Sequence, residues 1–229
     1  GGAAGEAGIG HDWHHLTGQI YGQESTSMLP FEVIRAVLSQ DASILDLPTL
    51  SSNRLETSSC ARRLRVLDLC AAPGSKSTQI GAWLDGRGLL VANELDSERA
   101  RILRKNLLRA GVTNCLLTCG DGRDLCDLAH EAFDVVLADA PCSAEGNVRK
   151  HADAFDPWLE TGHERWLEDL AERQWELLQS AWQALRPGGC LVYSTCTLNR
   201  FENEGVCRRL LEESPGGHAI RLVDLPPSL

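Results

Sequence analysis

Cys142 lies in DAPCS and Cys196 in YSTCT, two thiols each placed just beyond an apolar run. A thiolate is a nucleophile able to add to an electron-poor carbon. The partner for such chemistry is indicated upstream, in VLDLCAAPGSKS, Val66 to Ser77. There an apolar run ends in Cys70, Ala71, Ala72, Pro73, Gly74 and Ser75 before a helical pattern opens at Lys76. Small side chains let a ligand lie against the backbone, and Pro73 stiffens the loop while removing one amide donor. Glu94 closes the next apolar run, LLVANE, twenty residues after Gly74. An acid at that distance can hydrogen-bond both hydroxyls of a ribose. The glycine spacing is not G-x-G-x-x-G, and no Walker lysine–serine pair follows a long glycine loop. A nucleoside cofactor without a pyrophosphate fits, and S-adenosylmethionine is the obvious one.

Two thiols beside a methyl donor suggest a specific reaction. Carbon-5 of cytosine is a poor nucleophile, but a thiolate added at carbon-6 turns the ring into an enamine whose carbon-5 can attack a sulfonium methyl. Loss of the carbon-5 proton and elimination of the thiol complete the cycle. A carboxyl group such as Asp139 suits the task of hydrogen-bonding or protonating ring nitrogen-3, since a buried carboxyl can hold a proton at neutral pH. Exocyclic-nitrogen methylation needs no thiol and goes with Asn/Asp-Pro-Pro-aromatic, where this chain has Asp139-Ala140-Pro141-Cys142.

The elements that must position these residues alternate. Strands are predicted at Arg65–Leu69, Leu89–Asn93, Cys115–Thr118, Phe133–Ala138 and Gly189–Ser194, and helices at Lys76–Leu84, Ser97–Ala110 and Leu167–Leu185. Asp96 or Ser97 can cap the second of these helices, with Gly111 at its end, and Pro187-Gly188-Gly189 reads as a turn. This is an α/β pattern: a Rossmann-like, mostly parallel sheet with helices on both faces, preceded by a short N-terminal segment. In such a sheet ligands gather outside the carboxyl ends of the strands. Five strand ends in order deliver the CAAPGSK loop, Glu94, Asp121 with Gly122 in GDGRD, Asp139 with Cys142, and Thr195 with Cys196. Before the sheet, residues 1 to about 17 are expected to carry little structure, Phe31–Leu38 a short helix and Ser39–Ala61 a long loop. Residues 1–61 therefore read as an N-terminal extension and linker, and 62–229 as the catalytic domain. Ile220–Leu225 reads as a sixth strand, and a seventh antiparallel one is missing, so the chain reads as part of something longer.

Composition bounds the rest. The chain has 229 residues, 43% hydrophobic and 24% charged, ordinary for a globular protein. It has no run of eighteen apolar residues, so no membrane span, and no signal-peptide pattern. Nine cysteines at irregular spacing read as reduced thiols in an intracellular compartment. No CxxC pair supports a zinc site from Cys115, Cys119 and Cys126, and no metal is expected. The net charge of −10 argues against a free-standing nucleic-acid binder. Arg149 and Lys150, which follow a motif loop, are the basic residues best placed to meet RNA.

LDLCAAPGSK, VANE, DAPCSAEG, RPGG and LVYSTCTLNRFENE together resemble the Nop2/Sun family of RNA 5-methylcytosine methyltransferases, nearest its bacterial ribosomal-RNA (RsmF-like) branch. GQIYGQESTSMLP is similar to the segment before that family's catalytic domain. The resemblance runs from about Gly18 to Val206. It implies that Cys196 is the nucleophile and that Cys142 assists breakdown of the covalent adduct. It implies that Asp139 and Lys76 contact the target base, and that Cys70 to Lys76, Glu94, Asp121, Gly122 and Asp139 line the cofactor pocket. Ribosomal RNA is the first substrate it implies and transfer RNA the second, with RNA affinity supplied by a further domain or a ribosomal or RNA-binding partner protein. Three departures stand out: Ser75 and Ala144 where the family usually has Gly, and Asn147-Val148 for a Met-aromatic pair. The altered PCSAEG loop, the acidic charge and the early end of the chain leave one rival reading, a ribosome-assembly factor that keeps the fold without turnover.

Overall fold

In a computed structural model of the chain, residues 12–40, 63–148, 156–159, 162–214 and 220–225 are described. Five parallel strands carry the fold: β1 (Arg65–Asp68), β2 (Leu89–Glu94), β3 (Cys115–Cys119), β4 (Phe133–Asp139) and β5 (Leu185–Ser194), in the order β3-β2-β1-β4-β5. The order reverses between β1 and β4, which opens a crevice at their carboxyl ends, where such sheets bind ligands.

Because both faces are covered, the central strands are nearly continuous apolar runs. Successive side chains divide between the two faces. Val66, Val135 and Leu137 pack under α3 (Ser75–Leu84) and α4 (Ser97–Arg109), meeting Ile80, Leu84, Leu103 and Leu107. Leu67, Val136 and Ala138 face the other side, toward α7 (His163–Ala184), meeting Leu177 and Ala181. Asp96 caps α4 by accepting from the Arg99 N–H at 2.8 Å, and Gly111 follows with φ +69°, as the sequence pattern predicts.

Several elements differ from expectation. Residues 13–16 form a helical turn, α1 (Trp13–Leu16), because Asp12 accepts from the His14 N–H at 2.8 Å. The helix predicted at Phe31–Leu38 runs from Ser25 to Gln40 as α2, with Pro30 inside it. Phe31, Ile34 and Leu38 bury against the sheet face beneath α3, and that packing outweighs the roughly 3 kcal/mol an interior proline costs. Of the predicted loop, residues 41–61 lie outside the described residues. The sixth strand is absent from residues 220–225, where Leu222, Val223 and Leu225 are exposed for want of a neighbouring strand. The predicted turn at Pro187-Gly188-Gly189 lies inside β5 as a bulge. Pairing steps from Phe133 with Leu185 to Val135 with Cys190, and Gly188 takes φ +74°. The short helix α5 (Leu125–Leu128) and the single turn α6 (Asp156–Leu159) precede α7. After β5, α8 (Val206–Glu213) lays Val206 and Leu210 on Trp175 and Leu178 of α7.

The amino ends of three strands are held by one buried carboxylate. Asp134, fully buried, accepts from the Arg65 N–H at 2.7 Å and from Arg186 Nε at 2.5 Å. Removing one partner of such a pair strands the other, so Asp134→Ala should lower stability by about 3–5 kcal/mol. Urea denaturation measures it, and a loss below about 1 kcal/mol, the range of an exposed pair, would contradict this account.

Candidate active site

The loop after β1 is shaped by helix packing as well as by room for a ligand. Gly74 has φ +106°, and a Cβ there would meet Leu103 Cδ1 of α4 at 2.9 Å. Ser75 opens α3 and shares a short hydrogen bond with Gln23, so the Ser-for-Gly departure is absorbed by the N-terminal segment. Asn106 of α4 donates to the Pro73 carbonyl at 2.8 Å, and Tyr21 lies beneath the Arg109 guanidinium, 5.5 Å from its ring centroid. The loop is thus held from α4 and from the segment before α2.

Glu94 ends β2 with 4% exposure. Its carboxylate accepts from the Ala72 N–H at 3.2 Å and the Asp96 N–H at 3.1 Å, with Arg99 Nη1 at 3.6 Å. This joins the CAAPGSK loop to the end of β2. Beside it, Asn93 donates to the Leu69 carbonyl at 3.2 Å and the Gly120 carbonyl at 3.0 Å, fixing three strand ends to one another. Asp121 caps a turn after β3 and pairs with Arg123 at 2.7 Å; hydrogen bonds from Arg123 hold its carboxyl below the usual range. Gly122 is a packing glycine, since a Cβ there would stand 2.9 Å from Leu177 Cδ2 and 3.1 Å from Leu69 Cγ.

Asp68 is a residue that sequence reasoning did not single out. It is 1% exposed at the end of β1. Oδ2 accepts from Ser77 Oγ at 2.6 Å, whereas Oδ1 is buried with no hydrogen-bond partner among the described residues. Burial pushes its carboxyl up to about 7. A charge inside the apolar run VLDL was the available signal, masked by the loop motif that follows. Asp68 borders a 30 Å³ cavity with the Cys70–Pro73 stretch, Ser75, Lys76 and Asp139. The cavity holds about one water. An orphaned buried acceptor, a small-residue loop and, behind that loop, the Glu94 carboxylate on the Ala72 N–H fit the polar groups of S-adenosylmethionine. Cys70, although it lies in the loop, is pushed up to about 12 by burial and is inert as a nucleophile.

Across the crevice from the loop, Lys76 Nζ stands 2.6 Å from Asp139 Oδ2, and Ser194 Oγ donates to Asp139 Oδ1 at 2.6 Å. The two cysteines follow on adjacent loops. Cys142 Sγ and Cys196 Sγ are 3.2 Å apart, and the Cys196 N–H points to Cys142 Sγ at 3.3 Å. The hydrogen bond with Cys196 and then burial raise the Cys142 thiol well above its ordinary range, so Cys142 keeps its proton. Cys196 is the exposed member of the pair. Gly146 allows this closeness, because a Cβ there would stand 2.5 Å from the Cys196 carbonyl. Ala144 adopts φ +57°, a left-handed conformation costly for any residue but glycine, which locates the strain of its departure from the family pattern. Arg149 and Lys150 lie outside the described residues.

Asp68 gives a pH signature. Its folded-state carboxyl titrates near 7 and a free one near 4, so the folded state holds the proton more tightly. Its contribution to stability is greatest below the unfolded value and is lost as pH rises toward 7. Asp68→Asn should therefore gain stability relative to the parent chain between pH 4 and 7. Parallel denaturation curves showing a pH-independent difference would remove this assignment.

The 16S rRNA methyltransferase RsmB/F family model matches residues 59–225. Ribosomal RNA small subunit methyltransferase F of Shewanella baltica (strain OS185) is 44% identical over 208 residues, covering 90% of this chain and 38% of that protein. The protein of the same name from Enterobacter sp. (strain 638) is 44% identical over 207 residues, with the same coverage. This chain therefore spans well under half the length of these curated relatives. Among solved structures, NSun6 from Pyrococcus horikoshii, crystallised with SFG, superposes with a TM-score of 0.67 at 30% identity, covering 90% of this chain and 45% of that one. A methyltransferase homolog protein from Pyrococcus horikoshii gives 0.64 at 29% identity, covering 91% and 56%. With its sheet, its cofactor loop and its paired cysteines inside the matched span, the chain belongs to the 16S rRNA methyltransferase RsmB/F family.

Proposed function

We infer that this chain is the catalytic portion of an S-adenosylmethionine-dependent methyltransferase that modifies carbon-5 of a cytosine in small-subunit ribosomal RNA. The observation that carries this reading is the sulfur pair, Cys142 and Cys196 at 3.2 Å, beside the Lys76–Asp139 ion pair. The names of the curated relatives support the substrate class. The neighbour solved with the S-adenosylmethionine analogue SFG supports the cofactor. Intact Cys196, Cys142, Asp139 and Lys76 favour turnover over an assembly role without it. The working unit is residues 62–229, against which the helix of the extension packs.

When bound, the cofactor supplies an electrophilic sulfonium methyl. The Cys70–Lys76 loop would carry it, with Asp68 and Glu94 holding its polar groups and Asp121 and Gly122 bordering the site beyond β3. Cys196, its thiol proton lost to water, adds to carbon-6 of the base, forming an S–C6 bond and breaking the C5–C6 double bond, whose pair passes to carbon-5. The Lys76–Asp139 pair, with Nζ donating to Oδ2 at 2.6 Å, presents a donor to ring nitrogen-3, which stabilises the charge that develops there. After methylation the S–C6 bond breaks with its pair passing to Cys196 Sγ, and the carbon-5 proton passes to Cys142 Sγ in place of the one Cys142 gives, its bonding pair restoring the C5–C6 double bond. Cys142 keeps its proton beside that sulfur and can protonate it as it departs.

The two thiols should therefore fail differently. Cys196→Ala should give neither methylated RNA nor a covalent complex. Cys142→Ala should permit attack but slow release, leaving a protein–RNA adduct that survives denaturation. An adduct in the Cys196 variant would reverse the roles, and unchanged turnover in both would end this reading. Glu94→Ala should weaken cofactor binding by at least tenfold, about 1.4 kcal/mol, since a charged acceptor for two hydroxyls is lost. Calorimetry reporting unchanged affinity would show that the ribose lies elsewhere.

A further inference from the structure

The sulfur pair is built from two loops that leave different strands, so something must hold their spacing. The last rung of the β4–β5 ladder lies before both cysteines, from the Ala140 N–H to the Ser194 carbonyl at 2.9 Å. Beyond it the loops touch directly, from the Gly146 N–H to the Cys196 carbonyl at 3.1 Å and from the Leu198 N–H to Glu145 Oε1 at 2.8 Å, and the residues after the two cysteines are joined through Glu202, which is 0% exposed. Glu202 Oε2 accepts from the Ser143 N–H at 2.9 Å and from Gln174 Nε2 at 2.7 Å. Oε1 takes a short hydrogen bond from Ser143 Oγ, which also lies 2.9 Å from Thr197 Oγ1. Gln174 Nε2 donates in addition to the Pro141 carbonyl at 2.9 Å. One buried carboxylate thus grips the residue after Cys142 directly and the residue after Cys196 through a single hydroxyl, with α7 behind it. Glu202 lies in a π-helical turn, Phe201–Gly205, whose wider ring is a frequent mark of a functional position. The Tyr193 hydroxyl, donating to the Glu202 carbonyl oxygen at 2.7 Å, anchors that turn to β5.

We propose that Glu202 is a positioning residue for the sulfur pair, setting the Cys142–Cys196 spacing and through it the rate at which the covalent RNA adduct resolves. This rests on the methyltransferase reading above. The reason is in the proton path. In the methylated adduct carbon-5 bears one proton, Cys142 bears one, and Cys196 Sγ is bonded to carbon-6. Resolution breaks the S–C6 bond, moves the Cys142 proton to Cys196 Sγ, restores the C5–C6 double bond and leaves the carbon-5 proton to replace the one Cys142 gave. Both sulfurs end as thiols and the base as 5-methylcytosine, so no co-reactant is needed. The step requires the two sulfurs within proton-transfer reach, whereas the earlier attack by Cys196 does not. Every donor to the Glu202 carboxylate is an N–H or O–H. Glu202→Gln keeps a carbonyl oxygen for the Ser143 and Gln174 N–H groups but sets its NH₂ against Ser143 Oγ, which must then accept, and it removes the charge three donors share, which loosens the Ser143 loop and the Cys142 beside it. A displacement near 1 Å suffices to slow such a step by about 10²-fold.

The test uses the full chain with methyl-labelled S-adenosylmethionine and unmethylated small-subunit ribosomal RNA. Denaturing gels score the adduct, label in free RNA scores release, and calorimetry scores cofactor affinity. Glu202→Gln should bind cofactor within about twofold of the parent, accumulate adduct as Cys142→Ala does, and release RNA about 10²-fold more slowly. Ser143→Ala, which removes only the hydroxyl link, should accumulate less. The Cys142→Ala/Glu202→Gln double variant should trap no more than Cys142→Ala alone, because both act on one step. Release at the parental rate from Glu202→Gln overturns the proposal and leaves the methyltransferase reading standing. So does an additive double variant. Should Glu202→Gln fail to fold, Ser143→Ala decides: slowed release upholds the proposal and parental release overturns it. A parent chain that neither methylates nor forms an adduct overturns both readings.

Discussion

Lys76 and Asp139 meet at 2.6 Å across the crevice between the loop after β1 and the end of β4, and the rest of the site is arranged around that contact. Lys76 belongs to the first turn of α3, whose start is fixed by Gly74 and the packing of that loop on α4. Asp139 is the last residue of β4, steadied by Ser194 at the end of β5. The ion pair therefore fixes where the cofactor loop ends and where the cysteine loops begin. On its β2 side lie Asp68 and Glu94, suited to a nucleoside ligand; on its β5 side stand two thiols suited to a pyrimidine.

The two halves are stabilised differently. The cofactor half is held by backbone donors and small residues: the Ala72 and Asp96 amides on Glu94, and the Asn93 side chain on two carbonyls. The base half is held by a buried polar network of Glu202, Ser143, Thr197 and Gln174. In a low-dielectric interior such a network is rigid while its members are satisfied, and costly once one of them is lost. That contrast fits the proposed chemistry, in which a ligand that enters and leaves needs only a shaped surface, whereas two sulfurs in one proton path need a fixed distance.

The strands and their parallel arrangement were legible because buried parallel strands are unbroken apolar runs, and each catalytic candidate stands where such a run ends in a polar residue. Glu94, Asp139, Cys142 and Cys196 were visible on that ground. Asp68 was hidden by the same rule, since it lies within a run rather than after it. Glu202 was hidden because its partners, Ser143 and Gln174, are 59 and 28 residues away, and local pattern carries no trace of them. The start of α2 was misjudged because the polar segment ending in Pro30 carries no helical pattern, whereas Phe31, Ile34 and Leu38 hold the helix by burial. The bulge in β5 was read as a turn before the strand because Pro187-Gly188-Gly189 has the same local chemistry in either place. Gly122 showed the converse, a motif glycine whose lack of a side chain makes room for Leu177 and Leu69.

The account stands on where the methyl group is placed. Unmethylated small-subunit ribosomal RNA, incubated with this chain and methyl-labelled S-adenosylmethionine, can be digested to nucleosides and resolved by mass spectrometry. The arrangement of Cys196, Cys142 and the Lys76–Asp139 pair predicts label in 5-methylcytidine alone. Label in N4-methylcytidine or on a ribose oxygen would contradict it, since neither product calls for a thiol.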